Sequence, residues 1–196
     1  YFMWAAHDDA WSDDWLAVLI DRFNDRDIGI RGTIKLTRDG DIIAEKVPPD
    51  FARGSRFNYF LRNENDYRSH YTYSLFDRKK LMHADLSTLS LDYYPDALFV
   101  YELLKHGRLR MIPDTFQIYR VHDQSLGIAI TKRWRGIAKI LFRVHPARYY
   151  RYYLRYTDAP AHKVILIALI PIKHVYAQLS FWLRGARQLI TGVERV

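Results

Sequence analysis

Over its first 131 residues the chain alternates short strand-like runs with helix-period stripes. That alternation restricts it to an α/β fold with a mixed sheet flanked by helices. The sharpest unit is the alternating run Ile28 to Leu36, the turn Arg38-Asp39-Gly40-Asp41 and a second run, Ile42 to Val47, which together predict an Asp-Gly hairpin closed off by Pro48-Pro49. Ahead of it, Ser12 to Asp25 carries Trp15, Leu16, Leu19, Ile20 and Phe23 on one stripe and Asp14, Asp21, Arg22 and Asp25 opposite, the pattern of an amphipathic helix that Ser12-Asp13-Asp14 would start. Behind it, Phe51 to Asn65 predicts a helix, Tyr71 to Phe76 a strand, and Arg78 to His83 a short basic helix. A loop with Asp85, Ser87, Thr88 and Ser90 then delivers Asp92-Tyr93-Tyr94-Pro95-Asp96 to a helix, Ala97 to His106, which Gly107 stops. Leu109 to Ile112 and Thr115 to Val121 predict two short strands around the turn Pro113-Asp114.

The run Tyr1 to Ala6 is apolar and ends on His7-Asp8-Asp9. Buried strands of α/β proteins read as short apolar runs, and ligands bind beyond their carboxyl ends. Read as such a strand, Tyr1 to Ala6 would deliver Asp8 and Asp9 to a point where a cation and a phosphate could meet. Adjacent aspartates also cap helices, so this pair alone does not decide the matter.

Composition narrows the field. With 196 residues, 49% of them hydrophobic and 15% aromatic, the chain can bury one sizeable core. The lack of cysteine excludes disulfides, thiolate zinc sites and cysteine nucleophiles. The net charge of +8 conceals a split: residues 1–131 hold 17 Lys/Arg against 20 Asp/Glu, whereas residues 132–196 hold 13 against Asp158 and Glu194 alone. From Lys132 the chain becomes basic and aromatic, with Arg148-Tyr149-Tyr150-Arg151-Tyr152-Tyr153-Leu154-Arg155-Tyr156 and then the apolar run Val164 to Ile172 around Pro171. A membrane-crossing helix needs about 20 apolar residues; Pro171, Lys173, His174 and Gln178 interrupt this stretch, which predicts broken amphipathic helices on a membrane surface or on the domain. The chain opens on Tyr1 with no initiator Met, signal peptide or preceding turn, which suggests the back portion of something longer.

Four blocks in this order resemble the second half of a family 2 glycosyltransferase of the GT-A fold: Tyr1 to Asp9 with Trp15-Leu16 following, Tyr73 to Leu81, Asp96 with Glu102-Leu103-Leu104 and Gly107, and Ile118-Tyr119-Arg120-Val121-His122-Asp123-Gln124-Ser125. The resemblance covers residues 1 to about 125. It implies a GT-A-like mixed sheet lacking the N-terminal nucleotide-binding units, followed by a basic aromatic helical extension. It also implies inverting, metal-dependent transfer of a sugar from a nucleotide diphosphate sugar to an acceptor hydroxyl on a glycan or lipid-linked acceptor, in cell-surface polysaccharide or glycolipid synthesis. In such a site Asp9 and Asp8 match the last and middle acids of a DxD-type motif that holds Mg²⁺ or Mn²⁺ against the diphosphate, oxygen ligands suiting both ions. His7 stands where the first aspartate commonly lies, a departure that leaves open whether it ligates metal, touches the donor or packs. Asp96 matches the catalytic base, the local alternative being a helix-start acid held by the helix dipole. Arg120 and His122 match the closing R-x-H element, with Arg120 reaching the diphosphate and His122 joining the metal shell. Trp4 and Trp11 either stack on sugar or belong to the core.

The basic tail has two further readings. Interleaved Arg and Tyr suit an anionic membrane surface, placing the protein in the cytoplasm on the inner face of the membrane, and they also suit single-stranded nucleic acid. The continuing apolar and amphipathic run favours the membrane. A nucleic-acid-binding module and an inactive transferase-like scaffold are the competing classes.

Overall fold

The structure, a computed structural model, describes residues 1–62, 68–91, 95–121 and 147–191. It divides into two units, Tyr1–Val121 and His122–Val196. The expected division at residues 131 and 132 lies outside the described residues.

The first unit is mixed α/β. In chain order it contains β1 (Ala10–Trp11), α1 (Trp15–Arg22), β2 (Asp27–Arg38), β3 (Asp41–Lys46), α2 (Arg56–Arg62), a 3-10 helix (Arg68–Tyr73), β4 (Leu75–Phe76), α3 (Arg78–Leu81), a second 3-10 helix (Leu86–Ser90), α4 (Pro95–Leu103) and β5 (Arg108–Arg120). The sheet runs β1-β5-β2-β3, with β4 also on β2. It is mixed because β2 and β5 are parallel while the other pairs are antiparallel. Residues 27–34 of β2 are buried without a break, as a strand covered on both faces must be. On one face Ile30, Leu75 and Ile112 pack with Trp15 and Leu19 of α1. On the other, Trp4 meets the rings of Phe76 and Phe99 edge-on at 5.6 and 5.4 Å, joining β4 to α4. At the start of β2 the buried Asp27 accepts from Arg108 Nε at 2.5 Å and Arg110 Nη2 at 2.8 Å, clamping the first residues of β2 and β5 together.

The hairpin forms as its residues predict, Arg38 facing Asp41 across the turn. Asp39 and Gly40 take positive φ angles of 53° and 95°, the combination that an Asp-Gly pair tolerates and that matches the twist of two antiparallel strands. Close approach governs a second glycine: a Cβ on Gly32 would stand 2.3 Å from the Thr115 carbonyl oxygen and 2.5 Å from the Trp15 ring.

Several local expectations are corrected by tertiary context. Tyr1 to Ala6 is not a strand: it pairs only at Phe2, which exchanges two hydrogen bonds with Phe76. β4 is two residues long and offers no longer ladder, so the rest of the apolar run is held by side chains, among them Met3 Sδ accepting from Trp15 Nε1. Tyr71 to Tyr73 is 3-10 helix and not strand, because Arg31 draws in the His70 carbonyl and Tyr71 donates to the Pro49 carbonyl at 2.9 Å. The two short strands around Pro113-Asp114 are one strand, β5, in which β2 advances from Arg31 to Thr33 while β5 advances from Met111 to Phe116. The excess bulges out at Pro113 and Asp114, which are exposed; a proline that cannot donate is accommodated there. In α1, Trp15 and Leu19 are buried but Leu16 and Ile20 are each 48% exposed, so the buried stripe is narrower than the apolar one.

The second unit contains α5 (Ala147–Arg155) and α6 (Pro160–Thr191). Helix α6 continues through Pro171, correcting the expected break; a proline removes one backbone donor, and one lost bond is tolerated in a helix of 32 residues. Tyr149 donates to the Tyr153 hydroxyl at 3.2 Å, and Tyr150 lies 3.2 Å from His174 Nδ1. Tyr149, Tyr150, Tyr153 and Tyr156 are all buried, whereas stacking on bases needs exposed rings.

Gly32→Ala is expected to destabilise the protein by about 2–4 kcal/mol, since backbone on one side and a buried indole on the other leave no room for the methyl. Urea unfolding of this variant beside wild type measures the loss.

Candidate functional site

The site grows from the pairing of β1 with β5. Antiparallel register sets Ala10 opposite Ile118 and Trp11 opposite Gln117, which brings the residue just before β1, Asp9, alongside the end of β5. There the Gln117 side-chain amide donates to Asp9 Oδ2 at 2.7 Å, and the Arg120 main-chain N–H donates to the same carboxylate. Gln117 has a second partner: its Oε1 accepts from Arg31 Nη2 at 2.7 Å. Arg31 is fully buried on β2 and also donates to the Gly32 and His70 carbonyls, with its guanidinium 5.9 Å from the Tyr71 ring centre. Burial lowers the Arg31 pKa to about 10, against the pull of Tyr71, Asp9 and Tyr73, so it stays charged at neutral pH. One primary amide therefore links a buried cation to a half-buried acid.

Asp9 is pushed above the usual carboxylate range, first by burial and then by Asp8, while Gln117, Arg120 and Arg31 oppose the shift. Asp96, in the first turn of α4, is also raised by burial of its carboxyl, although the residue as a whole remains exposed. Tyr73 connects these acids. Its phenol is raised to about 12, by burial first and then by Asp96, Asp9, Tyr119 and Asp8 in that order. A single hydroxyl thus feels Asp8, Asp9 and Asp96, residues from opposite ends of the first unit. Beside it, the His70 ring lies 6.2 Å from Tyr73 and 5.0 Å from Tyr119. Burial and the neighbouring Arg31 lower His70 to about 3, which keeps it neutral.

The other sequence-level candidates divide. Arg120 reaches Asp9 through its backbone while its side chain stays exposed. His7 is in a turn with its side chain 98% exposed, and its Nδ1 is 3.9 Å from Asp8 Oδ1. His122 lies outside the described residues. Trp4 and Trp11 are both partly buried, Trp4 against Phe76 and Phe99 and Trp11 against the cluster around Trp15. Glu102, buried on α4, is bound to Lys105 Nζ at 2.6 Å and serves the helix itself.

Among the described residues no group of three or more His, Cys, Asp or Glu could hold a metal ion. Two adjacent carboxylates, Asp8 and Asp9, nevertheless suit a hard cation that keeps most of its water and shares the oxygens of a bound phosphate. Arg31, Gln117, His70 and Tyr73 were not identified as site residues from sequence. The signal for Arg31 was a charged residue near the middle of the strand-like run Ile28 to Leu36, a position it shares in kind with Lys35; Gln117 and His70 carried none.

No protein-family model, curated protein or solved structure matches the chain.

Because His70 is held neutral down to about pH 3 while an unfolded histidine titrates near 6.5, its contribution to stability is complete above pH 6.5 and lost as pH falls from there towards 3. Melting temperature is expected to fall more steeply over that interval in wild type than in His70→Phe, as thermal unfolding across a pH series would register.

Proposed function

We propose that the first unit transfers a sugar from a nucleoside diphosphate sugar to an acceptor hydroxyl with inversion, on a GT-A-like arrangement of sheet and helices. What supports this reading is the placing of the adjacent acids Asp8 and Asp9 just before β1, with Asp9 fixed by Gln117 at 2.7 Å, together with Asp96 in the first turn of α4, whose charge acts on the same Tyr73 phenol. Adjacent acids at one side of a site and a lone raised carboxylate at another are the division of labour that such a transfer needs.

Asp96 acts as the base. As the bond from the acceptor oxygen to the anomeric carbon forms and the bond to the diphosphate oxygen breaks, the hydroxyl proton passes to its carboxylate. A carboxyl raised by burial is the stronger base for that step. Asp8 and Asp9 would hold Mg²⁺ or Mn²⁺, which when bound neutralises charge on the departing diphosphate. Gln117 and Arg31 keep Asp9 in place, its carboxylate fixed by the amide at 2.7 Å. Tyr73, un-ionised at neutral pH, offers a hydrogen-bond donor among three acids.

The test is calorimetric titration of the full-length protein with UDP and GDP, with and without Mn²⁺, repeated for Asp9→Ala. Mn²⁺ is expected to tighten binding by about tenfold or more in wild type and to have no effect in the variant; equal binding with and without the ion refutes the site assignment.

Asp96→Asn separates chemistry from stability. It is expected to lower kcat by about 10²- to 10⁴-fold while leaving nucleotide affinity within about twofold. Since folding raises this carboxyl above its ordinary 3.8, its charge costs stability once pH exceeds that value, so the variant should melt higher than wild type at pH 7 and lose the advantage as pH falls below 3.8.

A further inference from the structure

Helix α6 is turned inside out for a helix in water. Between Pro160 and Leu179 its buried positions include Lys173, fully inaccessible and 5.6 Å from the Tyr149 ring centre, beside Leu166 and Ala177. Its outward positions are apolar: Val164, Ile165, Ile167, Ile172, Val175 and Leu179 are each between 42% and 66% exposed. Ala161, Ala168 and Pro171 continue that surface, and Tyr176, 42% exposed, edges it. A surface helix of a soluble domain has the opposite arrangement, with its charges in water and its aliphatic side chains inside.

We propose that this outward face of α6 docks on an anionic lipid bilayer, with the helix lying in the plane of the interface. Three observations select lipid. The apolar arc from Ile167 to Tyr176 covers about half the helix circumference at 100° per residue, broad enough for a flat surface and wider than the narrow seam that pairs two helices. The charge of this part of the chain is complementary: besides the buried Lys173, residues 147–191 contain six Lys/Arg against the single acid Asp158, and Arg151 and Arg155 on α5 are exposed. A net basic charge on a unit that also carries an apolar face adds electrostatic attraction to anionic headgroups, and a tyrosine at the edge of that face is at home at that depth. Among the described residues no helix is long and apolar enough to cross a membrane, so this face lies on the surface and does not span it. The inference is independent of the transferase reading, since none of the acids of the first unit takes part.

Flotation of the full chain with vesicles of phosphatidylglycerol and phosphatidylcholine, and with vesicles of phosphatidylcholine alone, tests it. Wild type is expected to bind the anionic vesicles more tightly by about tenfold or more, and Ile172→Glu with Val175→Glu to abolish that binding with helicity and melting temperature unchanged, both residues being exposed. The milder pair Ile172→Ser and Val175→Ser serves as the second variant and should weaken binding in the same direction. Asp96→Asn should float like wild type. Wild type that ignores anionic vesicles, or variants that bind as well as wild type, overturns the proposal. So does a lipid-free dimer, seen by sedimentation equilibrium, that the same substitutions dissolve, which would assign the face to a second copy of the chain.

Discussion

A buried arginine organises the first unit. Arg31 lies on the most deeply covered strand of the sheet and keeps its charge there, so each nitrogen of its guanidinium has to be answered from nearby. The Gly32 and His70 carbonyls and the Gln117 amide oxygen do so. Satisfying it reshapes the chain around it: the segment before β4 winds into a 3-10 helix that turns the His70 carbonyl inward. It also directs the Gln117 side chain so that its NH₂ faces Asp9. A fully buried cation thereby positions the acid at the site's edge.

The parallel pairing of β2 with β5 makes this linkage possible. It brings Arg31 and Gln117 together from strands widely separated in sequence, while β1, only two residues long, adds Asp9 at the free side of β5. The bulge at Pro113 and Asp114 adjusts the register between Met111 and Phe116, so that Gln117 follows immediately on the resumed ladder. Helix α4 carries Asp96 in its first turn. The acids are not arranged for stability. Asp9 and Asp96 are both held in surroundings that disfavour their charge, and their field raises the Tyr73 phenol. Groups strained in this way concentrate where chemistry is done.

The second unit inverts the usual logic of burial. Aromatic hydroxyls and a lysine are turned inward, where Tyr149 bonds to Tyr153 and Tyr150 to His174, and aliphatic side chains are turned outward. Composition alone would give the tail a basic surface; the fold also turns an apolar face outward.

By itself the sequence determined the α/β class, the Asp-Gly hairpin, α1, α3 and α4, and the grouping of Asp8 and Asp9, because each follows from local periodicity, turn chemistry or adjacency along the chain. It also determined the charge split between the two parts. Tertiary structure decided the rest. Tyr1 to Ala6 is apolar enough for a strand but found a partner only at Phe2, Tyr71 to Tyr73 gave up strand geometry to Arg31, and α6 ran on through Pro171. The link from Arg31 through Gln117 to Asp9, and the influence of both Asp9 and Asp96 on the Tyr73 phenol, join residues that no local pattern relates. Hydrogen bonding and burial between distant segments are properties of the packed sheet, and a linear chain carries them only as potential.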